Sequence, residues 1–339
     1  MSHDPPNALD APSRPPGSGR RHHRPRRSRA IVAVALLVAS TGCGRTSPPT
    51  PTPAPTPTPG SATPASAAAA AEPELDGLLV ATGGPLLVTD DQGGLIAFDP
   101  AADAVSSVTA SAGIIVALDE SGQATVLDAT APAPTWTALD LPAGPPAAVR
   151  LVALAPSGSQ LAIVDGVPQA ASFTLTVLDV RTGVSRVIPV ARGLNGPPSW
   201  LGPGTIAVDV IRDPGHSGIA TIDLGSGVVA DRAGPGSIVV SSTDQAHLAI
   251  DDPATGDVLL GDVATWQSGA LGSMIRIHGP PARGVDSLAM SADGTRLAVV
   301  RRSDTGASVE IVVRVGDEWR TVRTLTKLGD GPPSVAWLE

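Results

Sequence analysis

The segment DVIRDPGH sets Asp209, Asp213 and His216 at a spacing loosely like that of a metal site. Three such side chains would be enough to hold a zinc ion with one position left open for water. The same segment also reads as a strand end running into a Pro-Gly loop. On that geometry Asp209 and Asp213 need not point together, so a solvated turn is the reading retained. Asp90–Asp91 in DDQGG and Asp251–Asp252 in DDPATG have the chemistry of ordinary turn formers. Glu120, His278, Asp286 and Glu310 are far apart in sequence, and only a fold that gathers distant segments around an axis would unite them. The chain contains no Gly-x-Ser-x-Gly elbow and no phosphate-cradling glycine loop leading to a lysine. Its motifs imply neither a catalytic group nor a metal nor another cofactor.

Arg301 and Arg302 form an adjacent basic pair. In an acidic body they are candidates to meet a partner's carboxylate, and the plainer alternative is a solvated outer strand edge. The five tryptophans, at 136, 200, 266, 319 and 337, have flat faces that suit sugar rings. Large aromatic side chains normally go to burial, so packing between structural units is the preferred role.

The 339 residues carry 23 basic and 32 acidic side chains. Seven arginines but only Asp4 and Asp10 fall within residues 1–43, which leaves 16 basic against 30 acidic groups beyond them. A body near −14 is a poor match for nucleic acid, where phosphate contacts need clustered cations. Lys327 is the only lysine, tyrosine is absent, and two Phe leave the core to Val, Leu, Ile and Ala.

The polar segment ending in RRHHRPRRSR is followed by ten small or apolar residues, Ala30–Ala39, and then Ser40, Thr41, Gly42 and Cys43. That apolar run is about half the length needed to span a bilayer, and the order of segments is that of a secretory signal. Cys43 is the only cysteine, so the body has no thiol nucleophile and no disulfide. Small residues before it resemble the bacterial lipobox, which implies acylation of Cys43, with Ser40 standing where that family usually has Leu. Residues 44–75, dominated by Pro, Thr and Ala, favour solvated polyproline II and read as a disordered tether between signal (1–43) and body (76–339).

Beyond residue 75, turn signals recur every eight to twelve residues with short apolar runs between them. Residues 147–192 give the clearest unit, with strands expected at Val149–Leu154, Leu161–Val164, Leu175–Asp179 and Val184–Val190. The second-strand element recurs as PLLVTDDQGG, GIIVALDESG, LAIVDG, IAVDVIRDPG, LAIDDPATG and LAVVRRSDTG. Third strands commonly end in an apolar residue plus Asp, as at Phe98–Asp99, Leu127–Asp128, Leu178–Asp179 and Ile222–Asp223. A Gly-Pro-Pro marker at Gly144, Gly196, Gly279 and Gly331 is expected to precede first strands, where no N–H donor is needed. Six copies of a four-stranded unit imply an all-β, six-bladed β-propeller, with seven blades as the alternative. The closing GPPSVAWLE looks like a first strand without a blade of its own. Val335–Leu338 is therefore expected to pair near Leu78–Asp90. The interval from Asp99 to Asp128 is too short for a full unit, so an outer strand is lost there or the first blade is irregular.

Residues 147–192 and 283–326 resemble the WD-like propeller repeats of the TolB type, whose first turn usually reads Pro-Asp-Gly. Here it reads Pro156-Ser157-Gly158 and Ala292-Asp293-Gly294. The resemblance implies a lipid-anchored, extracytoplasmic propeller of a bacterial envelope, binding a protein or another envelope component without catalysis. The alternatives are an extracytoplasmic propeller hydrolase, lactonase-like or glycan-active, and a sensor that binds a sugar or another small ligand.

Overall fold

A computed structural model of the chain describes residues 77–98, 104–144, 149–167, 170–213, 216–232, 236–279, 284–303, 306–326, 328 and 333–339. The expected signal, Cys43, the tether and the Gly331 marker lie outside the described residues.

The body is a ring of six four-stranded antiparallel sheets, as the repeats predict. Blade 1 joins both ends of the chain: β24 (Ser334–Trp337) pairs with β1 (Leu78–Ala81), followed by β2 (Leu87–Thr89) and β3 (Leu95–Ala97). Blade 2 holds β4 (Val105–Ser111), β5 (Ile114–Asp119), β6 (Ala124–Asp128) and β7 (Thr137–Leu139). Blade 3 holds β8 (Val149–Leu154), β9 (Gln160–Gly166), β10 (Phe173–Asp179) and β11 (Ser185–Val190). Blade 4 holds β12 (Gly193–Gly202), β13 (Thr205–Asp213), β14 (His216–Asp223) and β15 (Val229–Asp231). Blade 5 holds β16 (Val239–Ser241), β17 (Leu248–Asp252), β18 (Asp257–Gly261) and β19 (Ile275–Ile277), with helix α1 (Val263–Ser268) before its last strand. Blade 6 holds β20 (Val285–Met290), β21 (Arg296–Ser303), β22 (Gly306–Val315) and β23 (Glu318–Thr326).

The second strands show why the sequence reads as unbroken apolar runs rather than alternation. In β9, Leu161 and Ile163 pack toward blade 2, whereas Ala162 and Val164 pack toward blade 4. Likewise Leu79 and Ala81 of β1 face blade 2, while Leu78 and Val80 face blade 6. Both faces of each sheet are covered, so both sets of side chains are apolar. The result is six cores, one per blade interface, each built from Val, Leu, Ile and Ala. At roughly 1.5–3 kcal/mol per fully buried large aliphatic side chain, these interfaces are the main stabilising term. All five tryptophans join them: Trp200, Trp266 and Trp337 are buried, and Trp136 and Trp319 pack at the margins.

Closure follows the expected register, with Leu78 opposite Trp337, Leu79 opposite Ala336 and Val80 opposite Val335. It also corrects the reading of blade 1. Because β24 supplies the first strand, β1 is the second, Leu87–Thr89 the third and Leu95–Ala97 the outer one. PLLVTDDQGG is therefore a third-strand element, and the short interval after Phe98 reflects an outer strand already in place. The Gly196 marker also sits differently, inside β12, where the register shifts between Leu194 and Pro198. Two of the first turns take the expected form: Gly158 and Gly294 have φ of 69° and 67°, and Asp293 accepts from Ser291 Oγ and Thr295 N.

Candidate functional site

Each blade's first strand leaves one edge facing the axis, where its N–H and C=O groups have no strand partner. An exposed strand edge needs such groups satisfied or covered. Neighbouring blades supply side chains for this purpose. Thr109 Oγ1 accepts from Leu154 N at 2.9 Å, Trp200 Nε1 donates to Ala153 O at 3.0 Å, and Ser241 Oγ donates to Trp200 O at 2.5 Å. Thr243 N donates to Ala292 O at 3.0 Å, Trp337 Nε1 to Ala289 O at 3.1 Å, and Ser334 Oγ accepts from Val108 N at 3.1 Å. Five of the six seams are stitched by side chains in this way and the seam of blades 5 and 6 by the backbone bond of Thr243, which explains the hydroxyls and two of the tryptophans on the inner strands.

The strands enclose an axial cavity of about 380 Å³. Its walls differ. Blades 6, 1 and 2 contribute Asp286, Ser287, Ser334, Ser106 and Ser107 beside apolar residues such as Leu288 and Val335, and blades 3, 4 and 5 contribute Leu151, Pro197, Pro198, Ile238 and Val240 beside Ser199, Ser241 and Thr243. Among the described residues Asp286 is the only charged one in this lining. It sits in a bulge, because the pairing of β20 with β21 shifts between Val285 and Ser287. A bulge re-aims a side chain that regular pleating would have placed elsewhere. Ser106 occupies the matching bulge in blade 2. A second, more polar recess of about 530 Å³ shares Ser106 and Ser107 with this mouth and contains Asp119, Glu120, Arg150 and Asp165. Arg150 Nε lies 2.7 Å from Asp165 Oδ1 on the paired strands β8 and β9.

The structure separates the predicted arginine pair. Arg301 is fully buried, its Nε 2.9 Å from Glu310 Oε2 and its Nη1 donating to Gly256 O at 2.5 Å. β21 is an interior strand flanked by β20 and β22, so the solvated-edge reading fails and Arg301 offers no surface to a partner. Arg302 points the other way, with 55% of its side chain exposed and its Nε 3.0 Å from Asp286 Oδ2. That oxygen is buried yet accepts no hydrogen bond, so the pair is held by charge rather than by aligned donation. Of the four dispersed residues that an axis could in principle unite, only Asp286 lines it. Glu310 serves Arg301, Glu120 lines the side recess, and His278 is exposed with Nδ1 3.5 Å from Asp257 Oδ2.

Asp213 and His216 are backbone partners where β13 meets β14, four residues beyond Asp209. Among the described residues no group of three or more His, Cys, Asp and Glu could hold a metal ion. Asp209 is instead a buried carboxyl at the seam of blades 4 and 5. Its Oδ2 accepts from Asn195 Nδ2, its Oδ1 has no hydrogen-bond partner, and burial together with repulsion by Asp251 pushes it up to about 7. Burial also raises Asp251, although Ser237 N and Ile238 N both donate to it at 2.6 Å. Asp251 is therefore not the turn former expected of DDPATG. Asp252, by contrast, does accept from Ala254 N at 3.2 Å in the following turn.

No family model matches the chain, and no curated protein matches it. Solved structures do. TolB from Acinetobacter baumannii superposes with a TM-score of 0.55 at 14% identity, covering 78% of this chain and 67% of that one. A putative TolB from Agrobacterium tumefaciens gives 0.50 at 16%, covering 77% and 96%. A chain of a nidogen/laminin complex gives 0.54 at 12%, covering 78% and 98%. What this chain shares with the TolB structures is the β-propeller fold.

Proposed function

We propose that the protein is a lipid-anchored, extracytoplasmic binding module that receives a protein or other envelope component at the channel mouth bearing Asp286 and Arg302, without catalysing a reaction. The observation that carries this reading is the makeup of that mouth. It offers small hydroxyls, aliphatic surface and one carboxylate already held by an arginine, which is material for recognition rather than for paired acid–base chemistry. The nidogen/laminin neighbour, a propeller-like chain solved in a protein complex, supports a protein partner. The basic, apolar and small-residue order before Cys43 supports the anchor, and the Pro/Thr tract supports a tether with a reach of several tens of ångströms.

A photo-crosslinking amino acid at Arg302 or His278, both at the mouth end, is expected to capture the same discrete envelope protein. The same probe at Val184, exposed in a turn at the opposite end, is expected to leave it free. Equal capture from all three positions, or capture from Val184 alone, would sink the choice of face. Cys43→Ser is expected to release the protein from the membrane fraction; retention there would remove the anchor.

A further inference from the structure

The two walls of the axial channel specify a chemistry that the binding reading above leaves open. On one wall Asp286 stands among Ser287, Ser334, Ser106 and Ser107; across from them Leu151, Pro198 and Ile238 offer aliphatic side chains, in a wall that also holds Ser199, Ser241 and Thr243. Asp286 keeps 24% of its side chain exposed, and its contact with Arg302 uses no hydrogen bond. Oδ2 is buried beside Arg302, so of the carboxylate's roughly four lone-pair positions the two on Oδ1 are the ones left to accept from a ligand. An anion would meet this carboxylate with no cation among the described lining residues to offset it, and a purely apolar ligand would strand it. A group carrying several N–H donors and a positive charge at one end, with an aliphatic stem behind, would satisfy both walls at once.

We propose that this mouth binds a primary ammonium on an aliphatic stem, with Asp286 as its counter-ion, the serine hydroxyls as further acceptors and the Leu151–Ile238 wall against the stem. The proposal rests on the binding reading only for its choice of the mouth. Two sources share the chemistry: a lysine side chain of a partner protein, and a free alkylamine.

The test is calorimetric titration of the full chain with n-pentylammonium, with n-pentanol as the uncharged counterpart. Saturable binding of the amine and none of the alcohol is expected. Asp286→Asn is expected to weaken the amine about tenfold or more, the share of a charge-assisted contact. Arg302→Gln is expected to act in the opposite direction and tighten it, because it frees the carboxylate from its internal cation; a merely structural role would not reverse sign. Asp91→Asn, at the far end of the ring, serves as the unaffected control, and unchanged melting temperatures show that the variants fold. Competition by the blocked tripeptide Gly-Lys-Gly, but not Gly-Gln-Gly, assigns the site to a protein lysine, and failure of both to compete assigns it to a free amine. Equal binding of amine and alcohol, or an Asp286→Asn protein that binds amine like the wild type, overturns the proposal. Crosslinking from Arg302 and His278 that survives Asp286→Asn would leave the partner-binding reading standing while this one falls.

Discussion

The two ends of the ring use aspartate in opposite ways. At the end where third strands turn into fourth strands, the residue recurs from blade to blade and does the same local work. Asp128 accepts from Thr130 N and Oγ1, Asp179 from Thr182 N and Oγ1, Asp223 from Ser226 N and Oγ, and Asp262 from Thr265 N and Oγ1. Each of these carboxyls is held below its ordinary value by those donors. At the mouth end several aspartates are buried, and their partners vary: Arg150 for Asp165, Asn195 for Asp209, backbone N–H groups for Asp251, and Arg276 for Asp257 together with Asp252. Asp119 shows what this end would look like under the first rule, since it only staples the turn to Gln123. Recurrence marks a residue that the backbone requires. Irregularity marks residues that distinguish one blade from the next, and a binding site on a ring of similar units must be built from the latter.

The largest test of this contrast is Arg301. Because its burial is complete, Arg301→Ala strands Glu310 and the Gly256 carbonyl, and urea unfolding is expected to show a loss of about 3–5 kcal/mol. Replacing both partners by apolar residues, Arg301→Met with Glu310→Leu, is expected to recover most of that loss. An Arg301→Ala protein destabilised by less than ~1 kcal/mol would mean that the residue behaves as a surface arginine.

Asp209 comes next. A carboxyl raised from 3.8 to about 7 keeps a proton in the folded chain that the unfolded chain has already released. Its contribution is complete below the ordinary carboxylate value and is lost as pH climbs through about 7. The full penalty for ionising it in place is roughly 4 kcal/mol, an upper figure. Asp209→Asn is therefore expected to gain stability at pH 8, by up to that amount, and to show little difference from the wild type near pH 4. Chemical unfolding at the two pH values checks it, and a wild-type curve as flat as that of Asp209→Asn would contradict the burial argument.

This asymmetry also decides what could be read from the sequence. Blade 3 was legible almost strand for strand because its turns, Pro156-Ser157-Gly158 and Arg181-Thr182-Gly183, punctuate two-sided apolar runs. In blade 1 the first strand lies 253 residues beyond the end of the second, from Ala81 to Ser334; GPPSVAWLE announces that closure, but nothing near Leu78–Ala97 shows that PLLVTDDQGG is thereby moved to third place. Helix α1 went unread, although Asp262 as N-cap and Gly269 at φ 80° frame it, because six residues are too few to establish a helical period. At the mouth, Asp286 and Arg302 are 16 positions apart, and only counting outward from the Ala292-Asp293-Gly294 turn brings them opposite each other. The bulge that aims Asp286 at the axis leaves no mark on composition. The burial of Arg301 had one available clue: it occupies the same place in LAVVRR that buried Asp165 occupies in LAIVDG.

The smallest effect belongs to the repetitive end, and it is expected to have the opposite pH sign. Asp262 caps α1 by accepting from Thr265 N at 2.6 Å and Thr265 Oγ1 at 2.7 Å, and those donors lower its carboxyl. A lowered carboxyl contributes above its ordinary value of 3.8 and loses that contribution as pH falls through the lowered one. Asp262→Ala should therefore reduce the melting temperature at pH 7 by only ~2–4 °C, with the difference shrinking toward pH 3. Asp262→Asn, which keeps an accepting oxygen at the cap, should restore nearly all of it. A drop at pH 7 as large as that of Arg301→Ala would erase the distinction, because the turn aspartates would then be holding the ring together instead of finishing its corners.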